Sequence, residues 1–368
     1  MQKGFWDELN YPIVGLSPMD GVTDAPMRYI SKKYGKADVI YTEFVSAEGL
    51  WRIKKRGETD NKIWKDLIFD ESERPVIAQL FGSDPDSFFE AAKIVCEMGF
   101  DGIDINMGCP SPGLEKRGGG AGLIRDQGRA RAVIEATRLG VRSQISDVRY
   151  QIPVSVKTRI GSSKPDKSWW EFLASQELPA VAMHGRTFKQ LYSGEADWEV
   201  LLTAGEIIME SGAKFLGNGD IGRVLGAKLL VPGAGNEKWG VVVKTGEGVD
   251  LTGEMDGVLI GREAIGNPWM LRKDGYIPTI EEKLLVAVEH AYKFEEMFKF
   301  AKQNKELIGW IPGQARNDFG NFQFFPMRKH LAGYIRGFEG STGLRKSLMT
   351  AEGSEQVEEI IKNFLSSH

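Results

Sequence analysis

Gly102-Ile103-Asp104-Ile105-Asn106-Met107-Gly108-Cys109-Pro110-Ser111-Pro112 is a short apolar run that ends in polar and reactive groups. Side chains along a strand alternate with a period of two, so Ile103 and Ile105 point one way while Asp104 and Asn106 point the other. Two prolines then forbid continuation of the strand and hold the following loop open. A glycine cluster, Arg117-Gly118-Gly119-Gly120-Ala121-Gly122, comes next. A strand therefore delivers an Asn and a thiol into an open loop.

The same alternation recurs along the chain. Val154 and Val156 alternate with Ser155, Lys157 and Arg159, and Val181 and Met183 alternate with Ala182, His184 and Arg186. The aliphatic set suits contact with helices and the polar set suits the interior of a barrel. Charged groups facing an interior are costly unless paired or liganded. Here they gather at the C-terminal ends of strands, where parallel barrels keep their active sites.

Eight short β-rich runs are expected to be strands: Ile13 to Met19, Asp38 to Phe44, Pro75 to Phe81, Gly102 to Asn106, Pro153 to Arg159, Ala180 to Arg186, Lys214 to Gly219 and Gly257 to Gly261. Most are separated by stretches long enough for a helix, such as Asp86 to Met98 and Gly128 to Leu139, which carry helical apolar spacing. Strict alternation predicts an α/β fold, a (β/α)8 TIM barrel with a smaller C-terminal helical domain. An open doubly wound sheet is the alternative that pattern alone allows. The expected division is a catalytic barrel over 1–275 and a helical domain over 276–368.

Composition agrees with an ordinary globular enzyme. The chain has 368 residues, 42% hydrophobic and 27% charged, enough for a barrel of about 250 residues and a second small domain. Its start, Met1-Gln2-Lys3-Gly4-Phe5-Trp6-Asp7-Glu8-Leu9, lacks the apolar core of a signal peptide. No run of about 18 apolar residues predicts a membrane span. With only two cysteines, a reducing, cytoplasmic setting is expected. The net charge of −4 argues mildly against nucleic acid, yet two basic clusters stand out. One is Arg52, Lys54, Lys55 and Arg56; the other is Arg328, Lys329, Arg336, Arg345 and Lys346.

The two thiols read differently. Cys96 shares a helical face with Phe89 and Ala92 and is expected to be a small buried hydrophobe. Cys109, in a loop between prolines and glycines, is the candidate for chemistry. No Cys-x-x-Cys pair exists and there are four His, so no metal site is expected. Gly217-Asn218-Gly219-Asp220-Ile221-Gly222 matches G-x-G-x-x-G, but a dinucleotide fingerprint opens a βαβ unit and needs an acid closing its second strand. Glu237, at about that spacing, lies in a loop-like stretch. Asn218 and Gly219 with Gly261 and Arg262 fit better as a phosphate cradle after strands seven and eight.

These segments resemble the tRNA-dihydrouridine synthases, flavin enzymes that reduce uridine in tRNA. The matching stretches are Leu16 to Asp24, Thr42 to Ala47, Gln79-Leu80-Phe81-Gly82, Asp104 to Pro112, Lys157-Thr158-Arg159-Ile160-Gly161, His184-Gly185-Arg186-Thr187, Tyr192-Ser193-Gly194, Asn218-Gly219-Asp220-Ile221 and Asp256 to Arg262. Met327-Arg328-Lys329-His330 resembles a C-terminal block. The resemblance implies FMN at the barrel mouth, lined by Pro18, Met19, Asp20 and Gln79, with Lys157 beside the N1/O2 edge of the ring. It implies His184, Asn218, Gly219, Asp220, Gly261 and Arg262 at the phosphate end. Asn106, Arg159 and Arg186 would orient the uracil.

The resemblance further implies NADPH as reductant, tRNA as substrate partner, hydride delivery to uracil C6 and protonation of C5 by Cys109. Two insertions depart from the family pattern: Leu229 to Gly253, which could form a small hairpin, and Gln303 to Gln323, which reads as a loop. A flavin reductase of a small pyrimidine-like substrate would share most of these residues without needing the C-terminal helices. A non-catalytic RNA-binding protein would not need Lys157, Cys109 and the phosphate cradle.

Overall fold

The eight expected runs are all strands, and they close into a ring. In the computed structural model, which describes residues 4–58, 61–144, 152–226, 239–243, 248–251, 254–299 and 322–367, the barrel strands are β1 (Ile13–Leu16), β2 (Val39–Ser46), β3 (Val76–Phe81), β4 (Gly102–Met107), β5 (Val154–Arg159), β6 (Ala180–His184) and β7 (Lys214–Asn218). β8 (Ile221–Gly226) follows directly, the insertion supplies β9 (Trp239–Val243) and β10 (Gly248–Asp250), and β11 (Gly257–Ile260) completes the barrel. The ring runs β1-β11-β7-β6-β5-β4-β3-β2, every pairing parallel. An open doubly wound sheet is thereby excluded.

Parallel neighbours require crossovers, and helices supply most of them. These are α1 (Ala25–Gly35), α2 (Ala47–Arg56), α3 (Lys62–Asp66), α4 (Pro85–Glu97), α5 (Pro112–Lys116), α6 (Gln127–Gln144), α7 (Lys167–Ala174) and α8 (Trp198–Glu210). Most begin on a side-chain cap: Asp24, Ser46, Asp84, Asp166 and Asp197 each accept a backbone N–H of the first turn, which satisfies an otherwise orphaned donor. Val14, Leu16, Val76, Ile103, Ile105, Val156 and Val181 face outward and pack with the helices in one buried cluster. Cys96 packs against this cluster, and burial lifts its thiol to about 12.

The interior is layered rather than uniformly polar. Ile13, Val39, Tyr41, Ile77, Ala182, Leu216 and Leu259 form an apolar plug closed from below by Trp6. Ile77 and Gln79, Ala182 and His184, and Leu216 and Asn218 stand two residues apart, so each pair shares a face. The lumen thus turns from apolar to polar toward the C-terminal ends of the strands.

β9 and β10 of the insertion join β8, just before it, in a three-stranded antiparallel sheet of order β10-β9-β8. The G-x-G-x-x-G stretch therefore leads from a strand into another strand, not a helix, and the dinucleotide reading fails on topology. Residues 227–238, 244–247 and 252–253 of that insertion, and 303–321 of the second one, lie outside the described residues.

The C-terminal helices α9 (Ile280–Phe298), α10 (Met327–Tyr334), α11 (Ser341–Leu348) and α12 (Ser354–Ser367) share a cluster with Ala25 and Ile30 of α1. Backbones touch where α10 meets the segment after β11: a Cβ on Gly266 would lie 2.2 Å from the carbonyl carbon of Gly333. Two glycines at one crossing permit that approach. Among the described residues, no helix is long and apolar enough to cross a membrane.

Candidate active site

Seven barrel strands and the segment just after β1 send residues into one cavity of about 1430 Å³ at the C-terminal mouth. A drug-sized ligand fills about 300–1,000 Å³, so there is room for a cofactor and a second ring. Pro18, Met19, Asp20, Gln79, Asn106, Cys109, Lys157, Arg159, His184, Asn218, Gly219, Asp220, Gly261 and Arg262 line it. Arg186 does not.

One hydrogen-bonded chain crosses the strand ends. Ser155 Oγ and Gln79 Nε2 each donate to the buried Asp104 carboxylate at 2.7 Å. Asn106 Nδ2 donates to Gln79 Oε1 at 3.0 Å, and Asn106 Oδ1 accepts the backbone N–H groups of Gly108 at 3.1 Å and Cys109 at 2.8 Å. A side-chain oxygen that binds donors two and three residues on shapes the local turn. Asn106 thus organises the turn carrying Cys109, and its carboxamide oxygen is already doubly engaged. Burial raises Asp104 to about 6, against the opposing hydrogen bonds from Gln79 and Ser155.

Half-buried Cys109 is pushed up from its ordinary value, chiefly by desolvation, with the nearby Asp20 charge adding to it. The thiol is therefore a proton source at neutral pH. Lys157, half-buried at the strand end, donates to Asn218 Oδ1 at 3.2 Å. Burial, then the neighbouring Arg159 charge, lowers its ammonium to about 8. Asn218 is fixed in turn by donating from Nδ2 to Leu259 O at 2.7 Å.

His184 has a defined tautomer. Its Nδ1 accepts the backbone N–H of Arg186 at 3.1 Å, and a backbone N–H can only donate, so the neutral ring carries its proton on Nε2. Burial, followed by the Arg159, Lys157, Arg186 and Arg262 charges, holds this imidazole well below its usual value. Beside it Gly219 adopts φ +124°, and a Cβ there would lie 2.8 Å from Ala196 Cβ and 3.2 Å from His184 Cε1. The bare backbone and the Nε2–H define a concave, donor-rich corner.

Of the two arginines expected near the base, Arg159 lines the cavity and Arg186 does not. Arg186 is 1% exposed and grips Asp220 bidentately at 3.0 and 2.5 Å while donating to Ser193 O and Gly194 O. With every face committed, it holds the loop after β6 rather than facing a base. Asp220 would be raised by burial, but Arg186 brings it below its ordinary value, and Arg262 lies 3.6 Å away. Arg159 donates to Gly108 O at 2.8 Å, Thr187 O at 3.0 Å and Leu191 O at 3.2 Å. It straps the Cys109 turn to the loop that bears Tyr192.

Several lining residues had no assigned role in the sequence reading: Phe44 and Phe81, which meet edge to face at 5.4 Å, Tyr192 under the Arg262 guanidinium, Arg117 and Arg336. Arg336 carried a signal as part of a basic cluster. The other cluster is largely neutralised, since Arg52 meets Glu48 at 2.5 Å, Lys54 meets Glu97 at 2.8 Å and Arg56 meets Glu58 at 3.3 Å.

Away from the cavity, Asp24, His290 and His330 gather at the seam between barrel and C-terminal helices, their donor atoms within 4.8 Å of one another. His330 Nε2 lies 3.3 Å from Asp24 Oδ2, and His290 Nδ1 meets Tyr334 OH at 3.1 Å. Distance in sequence hid this cluster.

A parallel barrel whose mouth assembles a protonated thiol, a half-buried lysine and a donor-rich corner belongs to the barrel enzymes that work at the C-terminal strand ends. Residues 15–367 match the family described as Dihydrouridine synthase (Dus), and the chain belongs to that family. "Probable tRNA-dihydrouridine synthase" of Staphylococcus aureus (strain MRSA252) is 30% identical over 369 residues, covering 99% of this chain and 96% of that protein. "Probable tRNA-dihydrouridine synthase 2" of Bacillus subtilis (strain 168) is 29% identical, covering 99% and 97%. Among solved structures, morphinone reductase aligns distantly, with a TM-score of 0.43 at 13% identity over 74% of this chain and 87% of that one.

Proposed function

We propose that this chain reduces uridines of tRNA to 5,6-dihydrouridine, using FMN held at the barrel mouth and NADPH as reductant. The observation that carries the reading is one cavity joining Cys109 and Lys157 to the donor-rich corner of His184 and Gly219. Family membership supplies the substrate class.

The residues fit FMN. An anionic phosphate suits the His184 Nε2–H, the open Gly219 backbone and Arg262, because oriented N–H groups and a cation form an anion site. Pro18, Met19, Asp20 and Gln79 would border the ring, and Lys157 would hold negative charge at its N1/O2 edge. When bound, FMN supplies hydride to uracil C6.

Cys109 supplies the matching proton. Hydride at C6 and a proton at C5 add across one double bond, leaving a thiolate that regains its proton from solvent. The raised thiol value keeps that proton in place until needed. Asn106 and Arg159 would orient the acid by fixing its turn from both sides. The base reaches the mouth only after leaving its stack, at a cost of a few kcal/mol.

The absorption spectrum tests this directly. Flavin colour that bleaches anaerobically with NADPH and returns on adding unmodified tRNA is expected. In Cys109→Ala, bleaching should persist while recovery by tRNA is lost. Full recovery in that variant would remove Cys109 as the acid, and a flavin indifferent to tRNA would replace the substrate by a small pyrimidine.

A further inference from the structure

We propose that Arg117 and Arg336 form a phosphodiester clamp across the cavity mouth, each holding a phosphate on one side of the base that enters. The inference rests on the reading of RNA as substrate given above.

Both arginines line the cavity and are exposed. Among the described residues, neither forms an ion pair with a carboxylate; Arg117 donates to Gly113 O at 3.1 Å. The other cations are engaged: Lys157 by Asn218, Arg159 by three carbonyls, and Arg262 by Asp220 and the Tyr192 ring. Arg262 is exposed as well, but it is paired with Asp220; Arg117 and Arg336 are the exposed guanidiniums of this rim for which the described residues offer no carboxylate partner.

Their placement follows from topology. Arg117 belongs to the segment after β4, the same segment that carries Cys109. Arg336 follows α10, whose Gly333 crosses the backbone of Ile265 and Gly266 just after β11. In the eight-strand ring, β4 and β11 are four positions apart and therefore diametrically opposed. The β1–α1 turn fixes α10 as well, through His330 against Asp24 at 3.3 Å and Lys329 donating to Gly21 O. The two cations accordingly face each other over the opening.

A base extruded from a strand leaves a phosphate on either side of it. Two opposed guanidiniums match that geometry, and charge-assisted bonds to phosphate oxygens are strong. Of the acids lining the mouth, Asp220 is paired with Arg186, and Asp20 and Glu263 lie on the segments after β1 and β11. Asp20 is offset by Lys62 at 3.8 Å. A chain with net charge −4 can still draw RNA to such a locally positive mouth.

The test is the salt dependence of binding of an unmodified tRNA transcript to the full-length holoenzyme, measured by fluorescence anisotropy for wild type, Arg117→Gln, Arg336→Gln, Arg336→Lys and the double Gln variant. Each lost phosphate contact should reduce the slope of log K against log salt by about 0.7–0.9. The double variant should lose about twice that, and Arg336→Lys should keep the wild-type slope. Flavin bound per chain and the thermal melting temperature should be unchanged in all, which shows that the barrel is intact. Unchanged slopes in both single Gln variants overturn the clamp, as does Arg336→Lys behaving like Arg336→Gln. Wild-type flavin that ignores tRNA would defeat the proposed function instead, while the slopes alone decide the clamp.

Discussion

The carboxamide oxygen of Asn106 accepts the backbone N–H of Cys109 at 2.8 Å, so the last inward residue of β4 fixes the turn that carries the thiol. The same carboxamide donates to Gln79 of β3, which donates to Asp104 of β4, so the turn is tied through two neighbouring strands to a buried carboxylate. A misplacement of about 1 Å in a reacting group can cost about 100-fold in rate.

Asn106→Ala should leave the Gly108 and Cys109 N–H groups without their acceptor. The rate at which tRNA reoxidises reduced flavin should then fall by about 100-fold, while bleaching by NADPH changes far less. Single-turnover stopped-flow absorbance separates the two. Equal losses in both half-reactions would mean that Asn106 supports the cofactor rather than the thiol.

How much of this was legible beforehand depends on the range of the interaction. All eight barrel strands follow from short β-rich runs, and three of them also from period-two alternation, both local signals; Asn106, Cys109 and Lys157 lie on those strands or just beyond them. Arg159 and Arg186 were legible as residues at strand ends, but their hydrogen-bond partners were not. Each donates to main-chain carbonyls, and carbonyls leave no trace in composition or spacing. The apolar plug beneath the polar lumen depends on Trp6 reaching the bottom of the barrel. Arg336 was visible as charge alone, because its place at the mouth depends on how α10 docks.

Arg28 and Glu73 are both fully buried and meet at 2.7 Å. Arg28 also donates to Thr23 O at 2.9 Å and to Ile68 O, bracing the turn after β1 that lines the cavity. Removing one partner of such a pair costs about 3–5 kcal/mol, because the other charge is left buried and unpaired. Arg28→Met should therefore lower stability by that order in urea titration. Arg28→Met combined with Glu73→Leu should recover much of the loss. A double variant as unstable as the single one would show that the carbonyl bonds of Arg28 outweigh its ion pair.

Lys157 gives the site a pH limb. Its folded-state value of about 8 lies below the ordinary 10.5 because of burial and then the Arg159 charge. In the flavin-free protein the ammonium is lost as pH rises through 8, and affinity for the anionic cofactor should weaken there. Fluorescence titration of FMN from pH 6.5 to about 9.5 should show that limb in wild type and not in Lys157→Met. The stability sign is opposite: between 8 and 10.5 the unfolded chain binds this proton more readily, so the apoprotein gains stability from the group as pH climbs. A flat titration of FMN affinity would remove Lys157 from the cofactor site.

Gly219 is where backbone shape and ligand binding coincide. Its φ of +124° is one that L side chains rarely adopt, and an added Cβ would press on both Ala196 and the His184 ring. Gly219→Ala should therefore carry about 1–3 kcal/mol of local strain and displace the Nε2–H donor from the phosphate corner. Gly212 offers the matched control, since it has φ +84° but open space around its Cβ position. Gly212→Ala should lose stability with flavin content intact, whereas Gly219→Ala should lose bound flavin beyond any loss of stability. Flavin per chain after gel filtration, read beside thermal melting of each variant, decides it. Equal flavin content in both would place the phosphate elsewhere on the rim and leave Gly219 a purely structural turn.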